Sequence, residues 1–210
     1  MKRKMTLPNK ITLTRAALAI VMFLLMIAQT PITLIIASLI FAFAASTDWV
    51  DGKIARSTNS YTPFGAIVDP FVDKILVGAA FFAFTEMSSI DVPVWAVFFI
   101  ILRELMVSTL RVLAALNNKV LAAERWGKFK TTFQLIALGV IFFIVDIGAL
   151  VQLTSGAFNH YLRFWYYVLR ILPYTITVLT AVITCLSAIT YLKNNWEMLR
   201  ESWSLPVNAK

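Results

Sequence analysis

The sequence is poor in the residues from which soluble or disulfide-stabilised domains are built. Charged residues make up 14% of the 210 positions, far below the roughly 25% of a soluble domain. A single cysteine, Cys185, excludes both a disulfide framework and a cysteine-based zinc cluster. Hydrophobic residues instead make up 60% of the chain. This composition indicates a membrane protein without a soluble domain of any size.

Long apolar runs recur along the chain, and about 20 such residues suffice to cross a bilayer. We therefore predict an all-α, polytopic membrane protein with six transmembrane helices and a polar cavity at its cytoplasmic side. Residues 1–210 form one membrane domain, in which 1–15 are a cytoplasmic or interfacial segment and 193–210 a cytoplasmic tail. A cleaved signal peptide is disfavoured because no small-x-small site follows the first run. The predicted helices lie near 11–29, 31–50, 66–86, 92–115, 130–151 and 171–192.

Basic residues are distributed unevenly among the predicted loops, and this asymmetry predicts the orientation. They concentrate in the N-terminal segment, the second and fourth connections and the tail, whereas Gln29-Thr30-Pro31 and Ser88–Asp91 contain none. The positive-inside rule then places both termini in the cytoplasm of a protein of the cell (plasma or inner) membrane. The net charge of +8 reflects this topology and contact with anionic lipid. Nucleic-acid binding is not expected, because the bases form no separate basic domain.

Four acidic residues stand out against this apolar background. Asp48 and Asp51 are three positions apart, and Asp69 and Asp73 are four apart, so each pair falls on one face of a helix. We place the first pair at the end of the second helix and the other in the opening turns of the third. Clustered acids in a membrane are costly unless cations join them. Oxygen ligands of this kind favour Mg²⁺, Mn²⁺ or Ca²⁺, which predicts a metal site at the cytoplasmic surface.

The residues around these acids suit a phosphorylated substrate. Gly52, Ala55 and Gly65 are small enough for a ligand or a helix to approach closely. Arg56 offers a planar fork of donors that matches phosphate. Two divalent ions held by shared carboxylates clamp a pyrophosphate, and a remaining carboxylate can act as a general base. A substrate with a phosphorylated head and lipid tails fits this position at the interface.

Residues 48–73 read D-x-x-D-G-x-x-A-R-x₈-G-x₃-D-x₃-D, and this pattern resembles the signature of the CDP-alcohol phosphatidyltransferases. The resemblance implies that an alcohol attacks the lipid-bearing phosphate of CDP-diacylglycerol and displaces CMP, with two Mg²⁺ or Mn²⁺ ions required. It also suggests a homodimer. By the same resemblance Asp48, Asp51, Asp69 and Asp73 are metal ligands, and Asp73 is also the general base. The residues implied in CDP-lipid binding are Asn9, Thr12, Asp48, Asp51, Gly52, Ala55, Arg56 and Gly65.

The acceptor alcohol is suggested by further motifs. Pro8-Asn9-Lys10-Ile11-Thr12-x-x-Arg15 resembles the opening of the bacterial branch that accepts glycerol 3-phosphate, as do Arg103-Glu104 and Gly127–Thr131. Glu104, Ser108 and Arg111 share one helix face by spacing. Glycerol 3-phosphate is a dianion and needs basic partners. We assign its phosphate to Arg111, Lys128 and Lys130.

Other interpretations remain open at this point. Lys128 and Lys130 could be ordinary positive-inside anchors, and Arg103 and Glu104 could pair with each other or orient Arg111. An inositol phosphate makes similar charge demands, and serine or phosphatidylglycerol are further possible acceptors. An ion-coupled transporter would show inverted repeats and midplane sites, and the sequence shows no such symmetry. Asp146 and the segment 146–170 have no assigned role.

Overall fold

A computed structural model gives the fold. It describes the backbone of residues 7–58, 63–116, 125–196 and 200, with side chains described outside 7–9, 48–70, 73, 112–129 and 157. Within these ranges every regular element is a helix, which confirms the predicted all-α class. Six helices contain 22 to 29 residues and a seventh contains 13. The helices are α1 (Leu7–Ala28), α2 (Pro31–Thr58), α3 (Pro63–Thr85), α4 (Val94–Leu116), α5 (Arg125–Leu153), α6 (Ala157–Leu169) and α7 (Leu172–Asn194).

The long helices agree with the predicted apolar runs, but three of them extend beyond those runs. α1 begins at Leu7, α2 continues to Thr58 and α5 begins at Arg125. The extra turns contain polar residues that are compatible with a helix, so backbone hydrogen bonding continues after the apolar run has ended. Placing Asp48 and Asp51 at the end of the second helix was therefore wrong. An apolar run marks the part of a helix that suits lipid, and it does not mark the helix ends.

Helix α6 was not among the predicted helices. Its 13 residues rise about 20 Å, which is too short for a hydrocarbon core of about 30 Å. Phe158, Tyr161, Phe164 and Trp165 are all exposed along it. Exposed aromatic side chains on an amphipathic helix are typical of the membrane–water interface. Arg163, also on α6, fits the same location.

The helices pack around a core of aromatic and small residues. Helix α1 packs against α2 and α3, α4 against α7, and α5 against α2, α6 and α7. Phe142 of α5 contacts Phe41 of α2 and Phe84 of α3, with ring centroids 4.7 and 4.8 Å apart. Buried alanines, including Ala37 and Ala80, let the helices approach closely, as is usual between membrane helices.

The outer surface of the bundle is apolar. Among the described residues, three segments are long and apolar enough to cross a membrane, namely Lys10–Ala28, Lys130–Leu153 and Phe158–Asn194. The last of these combines α6 and α7. Large hydrophobic side chains such as Leu39 and Phe143 are more than half exposed, which suits contact with lipid. The protein is a membrane protein, and the count of six crossings stays a prediction.

Candidate active site

The two aspartate pairs lie at matching distances from the connection between α2 and α3. Asp51 and Asp48 precede the last residue of α2 by seven and ten positions. Asp69 and Asp73 follow the first residue of α3 by six and ten positions. At 1.5 Å per residue, both pairs lie about 9 to 15 Å from the ends of their helices. Both pairs therefore lie about two to three helical turns from the connection between α2 and α3.

This backbone arrangement fits a metal site. The side chains of all four aspartates lie outside the described residues, so the test concerns their helical positions and chemistry. Spacings of three and four residues put each pair on one helix face, and the donor set consists of carboxylates alone. Hard divalent cations prefer such oxygen ligands. The four positions therefore fit Mg²⁺ or Mn²⁺ better than a metal that prefers nitrogen or sulfur.

A cavity of about 840 Å³ lies beside the turn of α3 that contains Asp73. It follows α3 from Phe71 to the end of the helix at Thr85, a rise of about 21 Å. Around Lys74 its wall is mostly polar, and farther along α3 it is mostly apolar as far as Thr85 and Glu86, which line its other end. The cavity therefore combines a cationic end with a long apolar groove. The polar wall consists of Lys74, Arg103, Glu104, Ser108, Arg111, Lys130, Thr131 and Gln134, and the apolar wall includes Ala19, Ile20, Phe23, Val77, Gly78, Ala79, Phe82 and Ile101.

Glu104 is the centre of the polar wall. Its carboxylate forms an ion pair with the ammonium of Lys130 on α5, and its Oε1 lies 3.8 Å from Nη1 of Arg103. Lys130 is 2% exposed and Arg103 is 7% exposed. The sequence predicted that Lys130 contacts the acceptor's phosphate. In the structure its ammonium already contacts the Glu104 carboxylate. Buried charges are tolerated when they are paired in this way.

Two further contacts join this wall to neighbouring helices. Nη2 of Arg103 donates to Oγ of Ser187 on α7 at 3.0 Å. Nζ of Lys74 donates to the backbone carbonyl of Glu104 at 3.3 Å. Helices α3, α4, α5 and α7 thus meet at one polar layer. Lys74, Arg103 and Lys130 with the carboxylate of Glu104 give this layer a formal charge of +2 when all are ionised.

Gln134 is a site residue that the sequence interpretation missed. It lies one turn beyond Lys130 on α5, lines the cavity and is only 4% exposed. Its Nε2 has no hydrogen-bond partner among the described residues. A buried amide donor without a partner is unfavourable, so its position on a cavity wall suggests a ligand contact. The sequence feature that could have identified it is a glutamine inside an apolar run.

Of the remaining residues predicted from the sequence, some line the cavity and others do not. Arg111 is exposed and lines the cavity with Glu104 and Ser108, as their spacing predicted. Thr12 is buried on α1 and is not among the residues that line the cavity. The roles of the others stay predictions, because their side chains lie outside the described residues. These are Asn9, Asp48, Asp51, Gly52, Ala55, Arg56, Gly65, Asp69, Asp73 and Lys128.

Comparison with known proteins identifies the class. Residues 5–171 match the family described as CDP-alcohol phosphatidyltransferase, and the chain belongs to this family of enzymes. It is 38% identical to the CDP-diacylglycerol–glycerol-3-phosphate 3-phosphatidyltransferase of Bacillus subtilis (strain 168), over 64% of this chain and 75% of the relative. Proteins of the same name from Rickettsia bellii (strain RML369-C) and Haemophilus influenzae (strain Rd) are each 35% identical. These alignments cover 67% and 73% of this chain and 77% and 86% of the relatives.

Proposed function

We propose that the enzyme transfers the phosphatidyl group of CDP-diacylglycerol to glycerol 3-phosphate, giving phosphatidylglycerophosphate and CMP in phospholipid biosynthesis. The names of the similar bacterial proteins support this substrate pair. The observation that carries the proposal is the cavity beside Asp73, which has a cationic end and an apolar length. The cationic end suits an anionic acceptor, and the apolar length suits the acyl chains of an amphiphilic donor.

The apolar part of the cavity suits the acyl chains of the donor. Ile20, Phe23, Val77 and Phe82 line it, and the side chains of Ile20 and Phe82 are at least half exposed on the outside of the bundle. A lipid in the bilayer can therefore enter from the side while its head group stays near Asp73. The acyl chains pass from the bilayer into another apolar environment, so they stay out of water throughout.

The donor's head group belongs near the four aspartates. Two Mg²⁺ or Mn²⁺ ions held by Asp48, Asp51, Asp69 and Asp73 would neutralise the pyrophosphate and the charge on the leaving group. Arg56 binds the nucleotide's phosphates through its guanidinium. Gly52, Ala55 and Gly65 leave room for the CDP moiety, and Asn9 and Thr12 of α1 complete this subsite. These assignments extend the family resemblance to the positions of this chain.

The reaction then requires one proton transfer and one displacement at phosphorus. Asp73 accepts the proton of the acceptor's free hydroxyl. The resulting oxygen nucleophile bonds to the lipid-bearing phosphorus, and the bond from that phosphorus to the CMP oxygen breaks with its electron pair. Arg111, Lys128 and Lys130 hold the phosphate of glycerol 3-phosphate. General base catalysis of this kind contributes about 10²- to 10⁴-fold.

An acceptor panel tests the proposed reaction. Purified protein in detergent, given CDP-diacylglycerol and Mg²⁺ or Mn²⁺, is expected to release CMP fastest with glycerol 3-phosphate. Inositol phosphate, serine and phosphatidylglycerol are the competing acceptors. Asp51→Asn keeps the side-chain shape, removes a ligand charge and should abolish release while the protein remains folded. A faster reaction with another acceptor would replace the acceptor assignment, and metal-independent release would contradict the two-metal site.

The acceptor site has its own test. Arg111→Ala should raise the KM for glycerol 3-phosphate roughly ten- to hundred-fold, because a charge-assisted hydrogen bond contributes about 1.5–3 kcal/mol. The KM for CDP-diacylglycerol should change little. Arg163→Ala is the matched control, since this exposed arginine lies on α6, away from the cavity. An unchanged acceptor KM in Arg111→Ala would remove Arg111 from the pocket.

We also propose that the enzyme is a homodimer of the cell membrane with both termini in the cytoplasm. The distribution of basic loops supports the orientation, and the family resemblance supports the dimer. Mass measurement of the protein in nanodiscs distinguishes a dimer from a monomer. Protease access to the C-terminal tail in right-side-out and inverted vesicles tests the orientation.

A further inference from the structure

The ion pair with Glu104 fixes the position of the Lys130 ammonium at the wall of the cavity. Both residues line the cavity, and Lys130 is otherwise almost fully buried. Lys130 lies on α5 and Glu104 on α4, so the pair also connects two helices. Arg103 approaches the same carboxylate, with its Nη1 3.8 Å from Oε1. Glu104 is thus the shared counter-ion of two buried cations.

A lysine at such a site needs a partner to stay in place. Its ammonium is a compact charge on a flexible four-carbon stem, which can adopt many rotamers. A buried ammonium without a counter-ion is strongly unfavourable. Arg103 and Lys74 add like charge to the same layer, so repulsion would also move the Lys130 head group away. The carboxylate of Glu104 opposes both tendencies.

We propose that Glu104 is a positioning residue that holds the Lys130 ammonium at the cavity wall for the phosphate of the acceptor. This inference rests on the proposed function, in which Lys130 contributes to the acceptor site. Glu104 itself does not bind the acceptor, because its carboxylate and the phosphate carry the same sign of charge. It acts through Lys130, and Arg103, anchored by Ser187, stabilises the carboxylate from the other side.

A purely electrostatic role for Glu104 would produce the opposite effect. Its negative charge lowers the net positive charge of the polar layer, so neutralising it should strengthen the attraction for a phosphate dianion. Positioning predicts weaker binding after the same change, because Lys130 loses its fixed location. The sign of the change in acceptor KM therefore separates the two roles.

The experiment compares Glu104→Gln, Lys130→Met and the double variant in the CMP-release assay. Glu104→Gln keeps the shape and removes the charge, and we expect about a ten-fold higher KM for glycerol 3-phosphate with the KM for CDP-diacylglycerol unchanged. Lys130→Met should raise the acceptor KM by a similar or larger factor. The double variant should resemble Lys130→Met alone, since coupled residues are not additive. Asp91→Asn is the control, because it also removes a carboxylate charge, at an exposed position that does not line the cavity.

The outcomes separate this inference from the proposed function. An unchanged acceptor KM in Lys130→Met would remove Lys130 from the acceptor site and would overturn the inference with that assignment. A raised KM in Lys130→Met combined with an unchanged or lower KM in Glu104→Gln would overturn the inference alone. If Glu104→Gln does not fold, Glu104→Asp provides the test, since it retains the charge but retracts the carboxylate. A wild-type acceptor KM in Glu104→Asp would also contradict positioning.

Discussion

Gly148 of α5 lies against the ring of Tyr166 on α6. A Cβ atom added at this glycine would be 2.9 Å from Cε2 of Tyr166 and 3.4 Å from Cδ2. The ring cannot easily move away, because the Tyr166 hydroxyl donates a 2.6 Å hydrogen bond to the backbone carbonyl of Ser89. We predict that Gly148→Ala destabilises the docking of α6 on the bundle.

The size of the effect follows from three contributions. Overpacking a tight contact costs about 1–3 kcal/mol. Loss of the Tyr166 hydrogen bond, if the ring is displaced, costs about 0.5–1.5 kcal/mol. Replacing glycine by alanine inside a helix stabilises the helix by about 0.5–1 kcal/mol. The expected net destabilisation is therefore about 0.5–4 kcal/mol, by adding the first two ranges and subtracting the third.

Thermal unfolding of the purified protein in one detergent measures this effect. Gly148→Ala should lower the unfolding midpoint by several degrees, while CMP release at low temperature stays near wild type because neither Gly148 nor Tyr166 lines the cavity. Gly139→Ala is the matched control on the same helix, where an added Cβ meets nothing within 4 Å, and it should leave the midpoint equal or higher. Equal midpoints for the two variants would refute the packing of α6 described here.

Three further predictions concern the site and the bundle. Asp73→Asn should reduce CMP release by at least about 10²-fold, and a loss of only a few-fold would assign the general base elsewhere. Gln134→Leu should raise the KM of whichever substrate contacts this amide by about three- to ten-fold, because one hydrogen bond is lost. It should not lower the unfolding midpoint. Ser38→Ala should lower that midpoint, because Oγ of Ser38 donates a 2.8 Å hydrogen bond to Oδ2 of Asp146 and a half-buried carboxyl without its partner is costly. Ser46→Ala makes the same change at an exposed site and should have little effect, and equal midpoints for the two serine variants would contradict this pairing.

The Asp146 contact shows how a residue without an assigned role becomes interpretable in three dimensions. In the sequence it is an isolated acid inside an apolar run. In the structure its carboxyl meets Ser38, which is 108 positions away on α2. Side-chain pairing between helices so distant in sequence depends on how the bundle packs, and no local pattern reports it.

At the candidate site, the partners of Glu104 on other helices were likewise not predictable from the sequence. Its spacing from Ser108 and Arg111 correctly predicted a shared helix face, and all three line one cavity. The spacing could not show that Lys130 of α5 faces Glu104, because periodicity along one helix contains no information about its neighbour. A pair between Arg103 and Glu104 was one of the interpretations that the sequence left open, and the additional bond from Arg103 to Ser187 of α7 was not foreseen for the same reason.

The sequence by itself determined the helical class, the membrane setting and the family. Each of these depends on local information: the length of apolar runs, the distribution of charge, and eight specified residues at fixed spacing between Asp48 and Asp73. Tertiary structure alone decided where α2 ends, that α6 forms, and which side chains of α3, α4, α5 and α7 share one polar layer. The physical reason is that buried charges in an apolar bundle are stabilised by partners on other helices. Only the packing of those helices determines which partners meet.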